Sequence, residues 1–152
     1  MTIKTRLQQR AFATLAEEAL VGLILVAEEM GKDVGAICQR HGITHDQYNV
    51  LRILRGAGPD GLPRCDIAQR MISRSPDATR MIDRLVKQGL VVRGWSEENR
   101  RLSISRITEA GLAVLAAIQP ELEAMQARWT AGIPEAELTG MIGVLDRMLA
   151  RG

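Results

Sequence analysis

Apolar positions at helical spacing mark the N-terminal part of the chain as α-helical. Over residues 5–30 an apolar stripe recurs every three or four residues and predicts one long helix. The stripe consists of Leu15, Ala19, Leu23 and Val26. Gly31 is expected to bend or end this helix, and a shorter helix is expected over 34–41, with Gly42 as its C′ residue.

The next helix is predicted to begin at Thr44, because Thr44-His45-Asp46-Gln47 matches a capping box. Its apolar face would consist of Tyr48, Leu51, Ile53 and Leu54. A turn-rich stretch follows at 56–63, where 61–63 could form a minimal third strand. A short helix is then predicted over 64–71.

A second short helix is predicted over 76–88, with Ser75 as N-cap, Pro76 at N1 and Gly89 after its end. Two strand-like runs, 90–93 and 102–105, then flank a polar loop and predict a β-hairpin. Trp95 is expected to pack against the base of this hairpin, and stacking on a sugar is the less favoured alternative.

Two more helices complete the pattern. Thr108 is expected to cap a long helix over 109–130, and Pro134 to start a final one. The apolar positions of the final helix are Leu138, Met141, Ile142, Leu145, Met148 and Leu149. The predicted fold class is mainly α with a small β-hairpin wing (α+β): a winged helix-turn-helix flanked by N- and C-terminal helices.

Charge is distributed unevenly over this plan. Residues 1–63 carry 7 basic and 7 acidic side chains, residues 64–106 carry 10 and 5, and residues 107–152 carry 3 and 6. The net charge of the whole chain is only +2, but the segment counts show that the excess of basic residues lies in the predicted helix-turn-helix and hairpin. This distribution favours a middle segment that binds a polyanion.

On a helical wheel, Arg80, Arg84 and Lys87 lie opposite the apolar side of helix 76–88. Long cationic donors on one face of a helix suit phosphate and guanine recognition in a DNA major groove. A plain solvated face is the alternative for the helix alone, but the hairpin and preceding helix favour DNA binding. The predicted contacts of the recognition helix are Arg74, Ser75, Asp77, Thr79, Arg80, Arg84 and Lys87.

Three segments resemble the MarR family of bacterial and archaeal transcriptional regulators. SPDATRMIDRLVKQGLVVR (75–93) is similar to that family's recognition helix, ENRRLSISRITEAG (98–111) to its wing, and GITHDQYNVLRIL (42–54) to the preceding helix. Family wings usually carry an Asp two residues before the Arg that enters the minor groove. Asn99 stands at that position here, so Arg100 and Arg101 together are assigned as the wing contacts.

The resemblance implies a homodimer on a pseudo-palindromic double-stranded operator. Its parts would be dimerisation helices at 1–43, a DNA-binding lobe at 44–106 and further dimerisation helices at 107–152. It also implies a repressor released by a small phenolic or anionic ligand. Candidates for lining that pocket are Met30, His45, Tyr48 and Arg52, although an ordinary core or surface role for each is favoured.

Other chemistry has weaker support. Cys38, His41 and His45 have ligand types that suit zinc, but Gly42 and Thr44 interrupt the helix between the histidines. Zinc sensing is therefore the less favoured alternative, and no metal and no cofactor is assigned. Cys65 is a candidate for a redox role, but we favour the alternative that it is an inert small residue. We find no enzymatic motif and expect a non-enzyme.

Three function classes therefore remain. The first is a dimeric, sequence-specific regulator, and the alternatives are a winged-helix adaptor for proteins and an architectural DNA binder without a preferred site. The longest apolar run, 19–27, is shorter than a membrane span and is flanked by glutamates. With no secretory pattern near the N-terminus, a cytoplasmic location is expected.

Overall fold

The structure, a computed structural model, describes residues 2–72, 77–95 and 102–151 of the 152-residue chain. Helices and short strands alternate along it and form two compact units, Met1–Gln119 and Pro120–Gly152. The elements are α1 (Ile3–Leu7), α2 (Leu15–Arg40), α3 (His45–Ala57), a 3₁₀ turn (Gly58–Asp60), β1 (Leu62–Pro63), α4 (Arg64–Arg70), α5 (Ala78–Lys87), β2 (Val91–Trp95), β3 (Ser103–Ile107), α6 (Glu109–Trp129) and α7 (Glu135–Leu149).

The single helix predicted over 5–30 is wrong, because two helices occupy this region. Gln8 ends α1 in the left-handed conformation, with φ of 54°. The Thr14 hydroxyl then accepts the Glu17 amide at 3.0 Å, and the Glu17 carboxylate accepts the Ala13 amide at 2.7 Å. These two bonds satisfy free donors at a helix start and define where α2 begins.

The break expected at Gly31 is also wrong, since α2 continues to Arg40. A glycine inside a helix costs only about 1 kcal/mol relative to alanine, which a long helix tolerates. The turn after α2 does agree with expectation, because Gly42 has φ of 76°. The predicted capping box at the start of α3 is confirmed: the Thr44 hydroxyl accepts the Gln47 amide, and the Gln47 side chain accepts the Thr44 amide.

The strands form one antiparallel sheet in the order β1-β3-β2, so the predicted third strand is confirmed. Leu62 pairs with Ser105, and Trp95 pairs with Ser103 at the far end of the hairpin. Gly61 precedes β1 with φ of 68°, and a Cβ there would collide with the backbone oxygen of Ser105. Only glycine fits this close approach without strain.

The core of the first unit forms where α3, α4, α5 and the sheet meet. Leu51 and Leu54 of the apolar face predicted for α3 are part of this core, whereas Ile53 is only half-buried. The fully buried side chains of the core include Val50, Leu51, Leu54, Ile67, Ile82, Leu85 and Val91.

Thr108 joins the end of the helix-turn-helix segment to α6. Its hydroxyl donates to the Gly89 carbonyl at 2.7 Å and accepts the Gly111 amide at 3.1 Å. A Cβ at Gly111 would collide with the Leu90 carbonyl, so α6 begins very close to the chain that leaves α5. In the second unit, Leu122 and Met125 are buried, and α7 begins after Pro134 as expected.

Candidate nucleic-acid interface

Helix α5 is strongly amphipathic in the way that the wheel predicted. Ala78, Ile82 and Leu85 are buried in the core of the first unit. The three cationic residues of the opposite face, Arg80, Arg84 and Lys87, are exposed. The helix therefore presents its cations to solvent while its apolar side rests on the rest of the unit.

The predicted start of this helix is wrong by two residues. Helix α5 begins at Ala78, with Asp77 in the N-cap position and no side-chain capping bond. Thr79 is exposed in the first turn, as expected for a residue near a base edge. Arg74 and Ser75 lie outside the described residues, so their assignment as DNA contacts stays a prediction.

Two ion pairs shape the charge of this face. Arg80 Nε lies 3.5 Å from Asp77 Oδ1, but its side chain is 78% exposed, so the pair is weak and leaves the guanidinium accessible. Asp83 Oδ1 lies 2.6 Å from Arg93 Nη1 on β2. Because the charge of Asp83 is balanced by Arg93, its carboxylate reduces the positive potential around Arg80, Arg84 and Lys87 less than the sequence alone suggests.

Arg64 and Arg93 are candidate interface residues that sequence reasoning missed. Arg64 starts α4 and donates from Nη1 to the Thr79 hydroxyl at 3.2 Å. Both arginines line a cleft of about 210 Å³ beside α5, together with Thr79, Ile82, Ser103 and Ser105. The charge count of 64–106 included them, but no local pattern linked positions so far apart along the chain.

A second cleft, of about 240 Å³, lies on the other side of α5. Its lining combines the outer face of α5 with the first turn of α3: Thr44, Asp46, Gln47, Asp77, Arg80, Met81 and Arg84. Four of the predicted contact residues, Asp77, Thr79, Arg80 and Arg84, therefore border one of the two clefts beside α5.

The wing is described only at its base. Arg100 and Arg101, like Asn99, lie outside the described residues, and their role stays a prediction. Trp95, at the end of β2, is 66% exposed. The expectation that it packs against the hairpin base is therefore wrong, and its indole is available to a partner.

The four pocket candidates lie on α2 and α3. Arg52 stacks over the Tyr48 ring, with Cζ 5.8 Å from the ring centroid. Tyr48 is buried, and that burial raises the pKa of its phenol. Met30 and His45 are half-buried. The structure thus brings Tyr48 and Arg52 together, and the pocket itself stays a prediction.

The two cysteines differ sharply in environment. Cys38 is fully buried on α2, and desolvation raises the pKa of its thiol to about 11. Cys65 is exposed on α4, and its thiol donates to the Asp66 carboxylate at 3.2 Å. In the part of the chain that the structure describes, no group of three His, Cys, Asp or Glu side chains is arranged to hold a metal ion.

We expect alkylation of the native protein to modify Cys65 alone. Thiolate is the reactive form, and burial keeps Cys38 protonated and inaccessible. Intact-mass measurement after brief treatment with iodoacetamide at neutral pH should give a single adduct, and treatment in denaturant should give two. Two rapid adducts on the folded protein would contradict the burial of Cys38.

Across residues 2–72, 77–95 and 102–151, no helix is both long and apolar enough to cross a membrane. Helix α2 is long enough, but its apolar sequence contains charged side chains, including Glu28, Glu29 and Lys32.

Comparison with known proteins agrees with this geometry. The model of the MarR family matches residues 43–103. A MarR transcription factor from Planctomyces limnophilus is 32% identical, with a TM-score of 0.67 over 90% of this chain and 98% of its own. The MepR–DNA complex of S. aureus has a TM-score of 0.76 at 22% identity, covering 86% of this chain and 95% of MepR, and this likeness concerns the fold.

A relative known from its sequence is a putative transcriptional regulatory protein for the hcr operon of Thauera aromatica. It is 27% identical over 112 residues, which are 74% of this chain. The match spans 66% of that relative, just under two thirds of its length. The winged helix-turn-helix fold and the family resemblance are thus confirmed, and the chain belongs to the MarR family.

Proposed function

We propose that this chain is a dimeric, sequence-specific DNA-binding transcriptional repressor that places α5 in the major groove. One observation carries the proposal: α5 exposes Arg80, Arg84 and Lys87 on the side opposite its buried face. Arginine on a rigid helix can pair bidentately with guanine or bind phosphate. MepR, a protein of the same fold, forms a complex with DNA, and this likeness supports DNA binding here.

Arg64 and Arg93 extend this basic surface beside α5. Among the described residues, Arg64 donates one hydrogen bond, to Thr79, and Arg93 pairs with the Asp83 carboxylate, whereas a guanidinium group has five N–H donors. We assign both to the DNA backbone, since contacts to phosphate orient a reader without specifying sequence.

The dimer is proposed from apolar surface that each unit leaves uncovered. On α2 the whole predicted stripe is exposed, with Leu15 at 85%, and the adjoining Ile24 is 67% exposed. The second unit exposes a similar set on α7: Met141, Ile142, Val144, Met148 and Leu149. Contiguous apolar surface of this kind usually marks an interface, and a second copy of the chain would cover both faces symmetrically.

Release by a small phenolic or anionic ligand is proposed as the regulatory step. Its support is the stacking of Arg52 on the buried Tyr48 ring, which sets a cation against an aromatic face. An aromatic carboxylate would find complementary contacts in that combination.

Binding to the DNA that flanks the protein's own gene tests the proposal. Labelled duplexes from that region should be bound more tightly than scrambled duplexes, with an affinity that falls steeply as salt rises from about 50 to 200 mM. No binding even at the lowest salt would contradict the proposal and favour the adaptor. Equal affinity for scrambled duplexes would favour an architectural DNA binder.

A further inference from the structure

Helix α3 carries two polar side chains that are buried beside the helix-turn-helix. Gln47 is 5% exposed and Asn49 is 8% exposed. The other buried side chains of α3, such as Val50 and Leu54, are mostly apolar. A buried amide is costly unless it is hydrogen-bonded, so the partners of these two side chains indicate what they do.

Gln47 links the start of α3 to the end of α5. Its Oε1 accepts the Thr44 amide at 2.9 Å, and its Nε2 donates to Gln88 Oε1 at 3.1 Å. Gln88, the C-cap residue of α5, then donates from Nε2 to the Gly42 carbonyl at 3.1 Å. The end of α5 is therefore bonded both to α3 and to the turn between α2 and α3.

Asn49 holds the segment that leads into α5. Its Oδ1 accepts the backbone amide of Ile72 at 3.1 Å, just after the end of α4. This bond and the Gln47–Gln88 bond lie at the two ends of the chain segment that contains α5. Both are made by side chains of one helix.

We propose that Gln47, Asn49 and Gln88 are positioning residues, which fix the orientation of α5 for DNA without themselves binding it. Apolar packing is non-directional, so Ile82 and Leu85 hold α5 on the core, but small rotations of α5 cost little free energy. Hydrogen bonds are directional, and breaking a buried one leaves an unsatisfied group, so the bonds of Gln88 select one orientation for the end of α5, while the Asn49 bond fixes the chain at Ile72, where it leaves α4. This inference rests on the proposed function.

Alanine variants of the linked pair test the inference. Gln88→Ala changes an exposed side chain, so the fold should survive, while operator affinity should fall by about threefold to tenfold. Gln47→Ala should weaken binding at least as much. The loss in the double variant should be smaller than the product of the two single losses, because both single variants remove the same Gln47–Gln88 bond. Gln39→Ala, at another exposed glutamine, is the matched control and should bind like wild type.

A second measurement in the absence of DNA separates positioning from general stability. Amides at the end of α5, over 84–90, should exchange hydrogen faster in Gln88→Ala, while thermal stability stays close to that of wild type. Unchanged affinity in Gln88→Ala, or losses that multiply in the double variant, would overturn the inference. Wild-type protein that binds no duplex contradicts the proposed function instead. If the wild-type protein binds no duplex and hydrogen exchange over 84–90 is also unchanged in Gln88→Ala, the proposed role of Gln88 in holding the end of α5 is overturned as well.

Discussion

Replacing Arg80 and Arg84 together by alanine is expected to weaken operator binding by about a hundredfold or more, since each contact to a base edge is worth about 1–3 kcal/mol. Both side chains are exposed, and Ala78, Ile82 and Leu85 keep the helix on its core. The loss should therefore fall on binding and not on folding. Of the two single variants, Arg84→Ala should show the clearer loss of affinity, because the charge of Arg80 is partly offset by the nearby Asp77 carboxylate.

A titration of labelled operator at fixed salt measures this effect, with the thermal unfolding midpoint as a check on folding. The double variant Arg10→Ala/Arg55→Ala is the matched control, because it removes the same charge from exposed positions outside α5. It should retain most of the affinity. Equal losses in the two double variants would mean that net charge, and not the placement of cations on α5, determines binding.

Truncating Leu85 to alanine is expected to lower the free energy of unfolding by about 3 kcal/mol. Leu85 is completely buried on the inner face of α5. Its removal would leave a cavity between α5 and the helix and sheet beneath it, and a close-packed core refills such a cavity only in part. The variant should also bind DNA less well near its unfolding temperature, because less of it is folded.

Urea denaturation measures the change through a lower midpoint with an unchanged slope. Val92→Ala is a suitable comparison, since Val92 is 50% exposed on β2 and should change the stability by much less. A loss below about 1 kcal/mol at Leu85 would show that α5 repacks or contributes little to the core.

Local patterns in the sequence were sufficient to predict the type and order of the elements from α3 to β3, although not the residue at which α5 begins. The capping box at Thr44, the turn at Gly89 and the start of the last helix after Pro134 all agree with the structure. Each depends on residues within four positions of one another, and such short-range chemistry can be read from a single sequence.

The break between α1 and α2 was not predicted, because the apolar periodicity of this region obscured the capping pattern at the start of α2. The apolar stripe of 15–27 extends smoothly upstream when periodicity alone is considered. Thr14-Leu15-Ala16-Glu17 nevertheless fits the Ser/Thr-x-x-Glu pattern of a helix start, and its hydroxyl and carboxylate do bond to backbone amides there. At this point capping chemistry indicates the start of the helix better than periodicity does.

The parts of the interface that depend on distant residues could not be predicted. Arg64 of α4 meets Thr79 and Arg93 of β2 meets Asp83, contacts that span 15 and 10 positions and form only once α4 and the sheet have packed against α5. The same holds for Gln47 and Gln88, which are 41 positions apart. Sequence patterning indicates which face of a helix is buried, but not which polar side chains meet across the core.

The difference between the two thiols has a practical consequence. Cys65 follows Arg64, whose guanidinium bonds to the first turn of α5, whereas Cys38 is enclosed. A maleimide dye added to the unmutated protein would therefore attach at one position, next to the surface assigned to DNA. Its emission could then report the arrival of a duplex in stopped-flow experiments without any engineered cysteine.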